Sequence, residues 1–287
     1  MAYPKTLELR PIEISDKNQL ANLLHFETYV HTHLDWRRPV DWIGREPFFV
    51  LDRGGRLEAA IACPPEPRGI AWLRLFAVSS RIAVEESWQL LWEASLKALA
   101  GGTEVAISIP IHQWTEDLLI NSGFEQTHQI VVLDWMPSYG DPLDNGVAKD
   151  VKVREMQTGD LETVRDIDHS SFPPLWRNSQ ESIQFAFGQA SRATVIEKEG
   201  QVCAYQISTS SPHGLHLARL AVHPDFQGQR MAYSLVRDLQ QRVSNMEGQR
   251  LTVNTQSINE PSLSLYNKAG FKQSEDKLPV YELQINS

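Results

Sequence analysis

Two stretches of this chain repeat each other. Leu7-Glu8-Leu9-Arg10 alternates like a strand, Asp16 follows six residues after Arg10, and Leu20, Leu23 and Leu24 then fall at helical spacing. Val151-Lys152-Val153-Arg154 does the same, with Asp160 six residues on and then Leu161, Val164 and Ile167. The offset of 144 residues returns between Leu73 and Leu217 and between Ala77-Val78 and Ala221-Val222. Gly123-Phe124 and Gly270-Phe271 keep the order at an offset of 147. Ordered matches at a nearly constant offset indicate duplication of a unit of about 140 residues. Each unit runs strand, one or two helices, two or three strands, a long helix, a strand (103–110 or 250–256), a short helix and a last strand after Gly-Phe. That rhythm predicts an α/β or mixed α+β fold. The Pro-, Gly- and Asp-rich stretch PSYGDPLDNGVAKD marks a linker at 137–150 between a domain over 1–136 and a second over 151–287.

Composition excludes several classes. With 27 Lys and Arg against 36 Asp and Glu, the net charge of −9 disfavours binding to phosphate polyanions, so nucleic acid is not an expected partner. The two cysteines, Cys63 and Cys203, are too few for a disulfide framework or a four-thiolate zinc site, and no metal is expected. The start MAYPKTLELR lacks an apolar run of signal-peptide length and no segment approaches 18 apolar residues in a row. The expected location is the cytoplasm, with no membrane partner.

The most informative stretch is 215–243. Leu215, Leu217, Leu220 and Val222 predict an apolar strand, His223-Pro224-Asp225 a turn, and Ala232, Leu235, Val236 and Leu239 a helix. Between them lies Gln227-Gly228-Gln229-Arg230-Met231-Ala232. A loop entering a helix N-terminus presents unpaired N–H groups and partial positive charge, which suits a pyrophosphate. Small residues at Gly228 and Ala232 allow close approach. The residues fit neither the Walker nor the dinucleotide glycine pattern.

This loop resembles the signature of the GNAT superfamily of acyl-coenzyme A-dependent N-acyltransferases, Gln/Arg-x-x-Gly-x-Gly/Ala after the fourth strand. Gln227 and Ala232 match its ends, and Arg230 departs from its middle glycine. A second match follows. Asn259-x-x-Ser262-x-x-Leu265-Tyr266 with Gly270-Phe271 is similar to the family's later helix and its exit. Asn259 is a good N-cap, Pro261 suits a first turn and Gly270 a stop. The two motifs place the resemblance over roughly Val151 to Tyr281, and two such units in tandem are similar in layout to the mycothiol synthases.

The resemblance implies two GNAT-like domains, each a mixed, mostly antiparallel sheet flanked by helices, with acetyl-CoA as acyl donor bound in the second. It implies cofactor contacts from Leu220, Ala221, Val222, Gln227, Gly228, Gln229, Arg230, Met231, Ala232, Asn259 and Ser262. Backbone N–H groups near Leu220 to Val222 would polarise the thioester carbonyl. Tyr266 would protonate the leaving thiolate. Where many relatives carry a strand glutamate as base, this chain offers only His216 and Arg219, which makes His216 the candidate base. The acceptor would be a primary amine of a small molecule or a peptide N-terminus, and the protein a monomer or homodimer. A second function class, a non-catalytic acyl-CoA sensor or scaffold, fits Arg230 and the missing carboxylate. A third is a structural protein with two inactive copies.

At the offset of 144, the first copy reads Ala83-Val84-Glu85-Glu86-Ser87-Trp88 where the second has its loop. Two carboxylates and a tryptophan there oppose pyrophosphate, and Leu119 or Ile120 stands near the place of Tyr266. The first copy is expected to be degenerate, with its seven tryptophans filling its core. His31 and His33 are expected at the surface, Arg37-Arg38 as a solvated or phosphate-facing pair, and His223 as part of its turn.

Overall fold

The arginine and aspartate spaced six apart in each repeat meet in the computed structural model, which describes residues 6–137, 148, 151–211, 213–245 and 249–285. Arg10 forks onto Asp16 at 2.7 and 2.9 Å, and Arg154 onto Asp160 at the same distances. In each case the carboxylate also accepts the N–H of the residue three before it, Glu13 or Gln157, and closes a short 3₁₀ turn ahead of the helix. Each arginine reaches a second carboxylate on the neighbouring strand, Asp52 or Glu197. The repeat read from spacing is thus a repeated ionic clasp between first strand and first helix.

In the second repeat the elements follow in the order expected, while the first carries five strands rather than two or three between its first helix and its long one. The first repeat contains β1 (Glu8–Pro11), α1 (Lys17–Phe26), β2 (Tyr29–Thr32), β3 (Phe48–Asp52), β4 (Leu57–Ala62), β5 (Ile70–Trp72), β6 (Leu75–Val78), α2 (Val84–Leu99), β7 (Val105–Ser108), α3 (Gln113–Asn121) and β8 (Glu125–Trp135). The second contains β9 (Lys152–Glu155), α4 (Leu161–Ser171), α5 (Gln180–Gln189), β10 (Arg192–Lys198), β11 (Gln201–Ser211), β12 (Gly214–Val222), α6 (Met231–Ser244), β13 (Arg250–Gln256), α7 (Glu260–Lys268) and β14 (Lys272–Gln284). No helix among the described residues is long and apolar enough to cross a membrane.

The chain forms two compact units, one of residues 1–127 with 278–287 and one of 128–277. This corrects the linear division at 136 and 151. The second half of β8 leaves the first repeat and pairs antiparallel with β13, from Leu251↔Trp135 to Gln256↔Ile130. The end of β14 pairs with β7, from Tyr281↔Ser108 to Gln284↔Val105. Each unit is therefore completed by the last strand of the other repeat. Local pattern fixes that both are strands but not which neighbour each pairs with. Of the expected linker at 137–150, all but Pro137 and Ala148 lies outside the described residues.

In the first unit a sheet of order β1-β3-β4-β6-β2 is antiparallel throughout, while β5 lies parallel to β7. Both faces of β3, β4 and β6 are covered, by Trp88, Leu91 and Trp92 of α2 on one side and by Leu20 and Leu23 of α1 with Trp42 on the other. Four of the seven tryptophans, Trp42, Trp72, Trp88 and Trp92, are buried in this unit, and Trp88 and Trp92 stack at 5.4 Å. In the second unit the order is β8-β13-β12-β11-β10-β9, with β12 and β13 parallel and the rest antiparallel. Val236, Leu239 and Val243 of α6 pack on Leu217, Leu251 and Val253.

The ionic clasps give the fold a defined acid response. Hydrogen bonding from Arg10 and Arg154 holds the Asp16 and Asp160 carboxyls below their ordinary 3.8. A carboxylate depressed in the folded state adds stability that is present above the unfolded value and is lost as pH falls through the folded one. The unfolding midpoint is therefore expected to drop as pH is lowered below about 4, and less steeply in Arg154→Ala. Thermal denaturation of both proteins between pH 6 and pH 2.5 checks this; parallel curves would contradict it.

Candidate active site

The site begins where two parallel strands part. β12 pairs with β13 only over Gly214–Leu217 against Arg250–Val253. Its ladder with β11 then slips between the pairs Ser208↔Leu217 and Ile207↔Arg219, leaving Ala218 as the extra residue. A bulge of this kind bends a strand, and here it turns the rest of β12 away from β13. His223 N–H donates to the Cys203 carbonyl across the β11 side. Amide groups alternate edges along a strand, so Ala221 faces β11 while Leu220 and Val222 present theirs to the gap. The Val222 carbonyl already accepts from Ser171 Oγ at 3.0 Å and Gln227 Nε2 at 3.1 Å.

The gap runs into the start of α6. No side chain caps this helix, whose first-turn N–H groups have no intrahelical partner. Its N-cap is Arg230, at φ +61°, ψ 14°. This is left-handed backbone, which glycine adopts at the least cost and which an arginine holds here. Gly228, at φ +75°, has open space where a Cβ would stand. Opposite lies α7, capped by Asn259, whose Oδ1 accepts Ser262 N–H at 3.2 Å.

These elements enclose a cavity of about 1010 Å³. Leu220, Ala221, Val222, Gln227, Gly228, Arg230, Met231, Ala232, Asn259 and Ser262 all line it. Three expected residues do not. Gln229 turns its side chain to Lys198 Nζ at 2.8 Å. His216 lies before the bulge, where β12 and β13 are still paired, and its Nδ1 meets Thr252 Oγ1 at 2.8 Å. Burial lowers its pKa. His216 as base is thus corrected: it is a strand-to-strand link outside the cavity. Tyr266 follows the lining residue Leu265 but is only 5% exposed, packs 5.5 Å from Phe271, and has its phenol pushed up by burial. His223 does belong to its turn, accepting Asp225 N–H.

Two parts of the site escaped sequence reasoning. His128, on the β8 segment that joins this unit, lines the cavity with its ring edge-on to Trp176 at 5.7 Å. Nothing local signals this, because it depends on which sheet β8 joins. The other is a buried network behind the wall formed by Ser171, Phe172, Pro173 and Trp176. Asp168, fully buried, accepts Tyr205 Oη at 2.6 Å, Arg219 Nε at 2.7 Å and Asn178 N–H at 2.9 Å. Arg219 also donates to the Trp176 carbonyl at 2.6 Å and lies 3.5 Å over the Phe172 ring. Burial and the Asp168 charge raise the Tyr205 phenol. A signal existed: Asp168 falls four residues after Val164, on the apolar stripe of α4, where a carboxylate needs a buried partner.

The first unit fills the equivalent place. The positions matching Leu220 and Val222 are Phe76 and Val78, and β2 pairs along that edge from Tyr29↔Val78 to Thr32↔Leu75. The matching residues of the second unit, 173–176, form the cavity wall instead. The loop is gone as well, because α2 starts at Val84 and winds Glu85 and Glu86 into its first turn. Trp88, in the place of Ala232, is buried and donates to Ser122 Oγ at 2.7 Å. Three expectations change here. His31 is fully buried on β2, with its pKa lowered to about 4 by desolvation. Burial pushes His33 well down, and its ring lies 4.7 Å from that of Trp72. Arg37, only 3% exposed, pairs with Glu66 at 2.6 Å and covers Trp42 at 4.5 Å, while Arg38 is exposed and bound to Asp41.

Residues 161–271, which carry both the uncapped helix and α7, match the acetyltransferase (GNAT) family. The second unit is a GNAT acetyltransferase domain. Over 120 residues, 42% of this chain and 80% of the relative, it is 25% identical to a Bacillus subtilis (strain 168) protein described as a putative ribosomal protein bS18-alanine N-acetyltransferase. The whole chain is similar in fold to a tandem GNAT protein from the clavulanic acid biosynthesis pathway, with a TM-score of 0.65, 15% identity and coverage of 98% and 99% of the two chains. A GCN5-related N-acetyltransferase from Sphaerobacter thermophilus aligns at a TM-score of 0.59 and 13% identity over 100% of this chain and 98% of its own.

The left-handed arginine gives a two-sided test. Glycine at such a position relieves about 1–2 kcal/mol of backbone strain but returns part of it as unfolded-chain entropy. Arg230→Gly is expected to raise stability by about 0.5–1 kcal/mol while weakening acetyl-CoA binding about tenfold through the lost cation. Thermal melts and calorimetric titration measure the two effects. Unchanged affinity would remove Arg230 from the anion site.

Proposed function

We propose that this protein transfers an acetyl group from acetyl-CoA to a primary amine by direct attack, in the cavity of the second unit. The observation that carries the reading is one continuous opening: an unpaired strand edge at Leu220 and Val222 leading into an uncapped helix N-terminus. A strand edge matches an amide-bearing pantetheine arm, and a helix N-terminus matches a pyrophosphate. The residues present fit that ligand. Gly228, Met231 and Ala232 offer backbone at the anion end, Arg230 adds a cation, and Asn259 and Ser262 border the other side.

Acetyl-CoA supplies the activated acetyl group, and the chain's residues do the rest. The gap-facing N–H groups of Leu220 and Val222 hold the carbonyl oxygen as negative charge develops there, each such donor being worth about 3 kcal/mol. As the amine nitrogen bonds to the carbonyl carbon and the carbon–sulfur bond breaks, the ammonium proton must leave and the sulfur must gain one. His128, whose ring lines the cavity edge-on to Trp176, takes the first. Tyr266 gives the second. Phenol-to-thiolate transfer is uphill by about 2 kcal/mol in water. Burial raises the Tyr266 phenol as well as the sulfur, so the transfer needs Tyr266, which adjoins the lining residue Leu265, to hydrogen-bond the sulfur as charge develops there.

Thiol release with an amine panel tests the reading. Tyr266→Phe is expected to lower kcat about 100-fold with unchanged acetyl-CoA affinity, and His128→Gln to lower kcat/KM about 100-fold and remove the acid limb of its pH profile. Full turnover in either variant would withdraw that residue's role. Binding of acetyl-CoA with no turnover of any amine would leave a non-catalytic acyl-CoA sensor.

A further inference from the structure

The acceptor side of the cavity has a chemistry of its own. Its wall is aromatic: Phe172 and Trp176 are both half-buried, and the His128 ring meets Trp176 edge-on. The wall is held from behind by the Arg219 guanidinium, which lies over Phe172, donates to the Trp176 carbonyl and is anchored by buried Asp168. Those contacts tie both aromatic residues to β12, the strand that carries the gap-facing N–H groups. A rigid aromatic surface gains contact area with a ligand at little entropic cost.

The charges point the same way. Among the described residues lining the cavity there is no aspartate or glutamate, and the cations Arg230 and Lys268 are present. An acceptor with a single ammonium gives up its charge when it reacts. A polyamine or lysine-rich segment keeps further ammonium groups, which would sit desolvated without a protein counterion.

Resting on the acetyltransferase reading above, we propose that the acceptor is a small primary amine borne on an aromatic or branched aliphatic group, seated against Phe172 and Trp176. The polar end meets the Leu220–Val222 edge and the apolar end meets the rings. Trp176 then determines specificity by direct contact, and Arg219 and Asp168 are positioning residues that act through the wall.

Steady-state acetylation of phenethylamine, isoamylamine, spermidine and a peptide with an alanine N-terminus tests this, with calorimetric acetyl-CoA binding run alongside. The expected result is kcat/KM for phenethylamine at least about tenfold above that for spermidine or the peptide. Trp176→Ala should raise the phenethylamine KM about tenfold with acetyl-CoA affinity unchanged, and Trp176→Phe should restore most of the loss. Preference for spermidine or the peptide, an unmoved phenethylamine KM in Trp176→Ala, or no turnover of any of the four amines despite bound acetyl-CoA would each overturn the proposal. Absence of acetyl-CoA binding would instead strike the acetyltransferase reading on which it rests.

Discussion

A β-strand edge that is not paired leaves backbone groups in need of partners, and both units are organised around how that need is met at one position. In the second unit the slip at Ala218 separates β12 from β13 and leaves Leu220 and Val222 facing a gap. In the first unit the equivalent edge, at Phe76 and Val78, is paired by β2. The pairing also explains the burial of His31, which sits on that inserted strand and is neutral over the physiological range because desolvation lowers its pKa. Duplication therefore produced one open groove and one that the chain closes with its own backbone. Trp88 and the two glutamates then occupy ground that no anion needs.

What surrounds the open edge is built to keep it open. The segment homologous to β2 is held out of the gap as a wall, by hydrogen bonds from Arg219 and Asn178 and by the turn that follows α4. Asp168 is the centre of that arrangement. Buried and charged, it is tolerable because three donors meet it. Arg219, on the same strand as the gap-facing N–H groups, anchors this wall through the Trp176 carbonyl and Asp168.

Much of this was legible from the residues. The six-residue spacing of Arg10–Asp16 and Arg154–Asp160 encoded the clasps, and the loop and the Asn259 helix located the cavity to within three residues. Arg230 was readable as an exception but not as a left-handed cap, since a backbone angle has no sequence signature outside glycine and asparagine. His216 misled because strand alternation gives a face, not the point at which two strands part. His128 and the domain boundary were illegible for one reason: both depend on the last strand of each repeat completing the other unit, a long-range pairing that local patterns do not encode. Asp168 lay in view on an apolar stripe, and its partners did not.

The groove at the β12 edge and the α6 N-terminus is proposed to hold one acyl-CoA per chain. Isothermal titration of acetyl-CoA into the intact chain, repeated with Gly228→Glu, tests it most directly. A stoichiometry of one per chain, abolished by a carboxylate placed at the helix N-terminus, is the expected result. Two equivalents, or one that survives Gly228→Glu, would show that the first unit binds the ligand and would contradict the assignment of β2 as its seal.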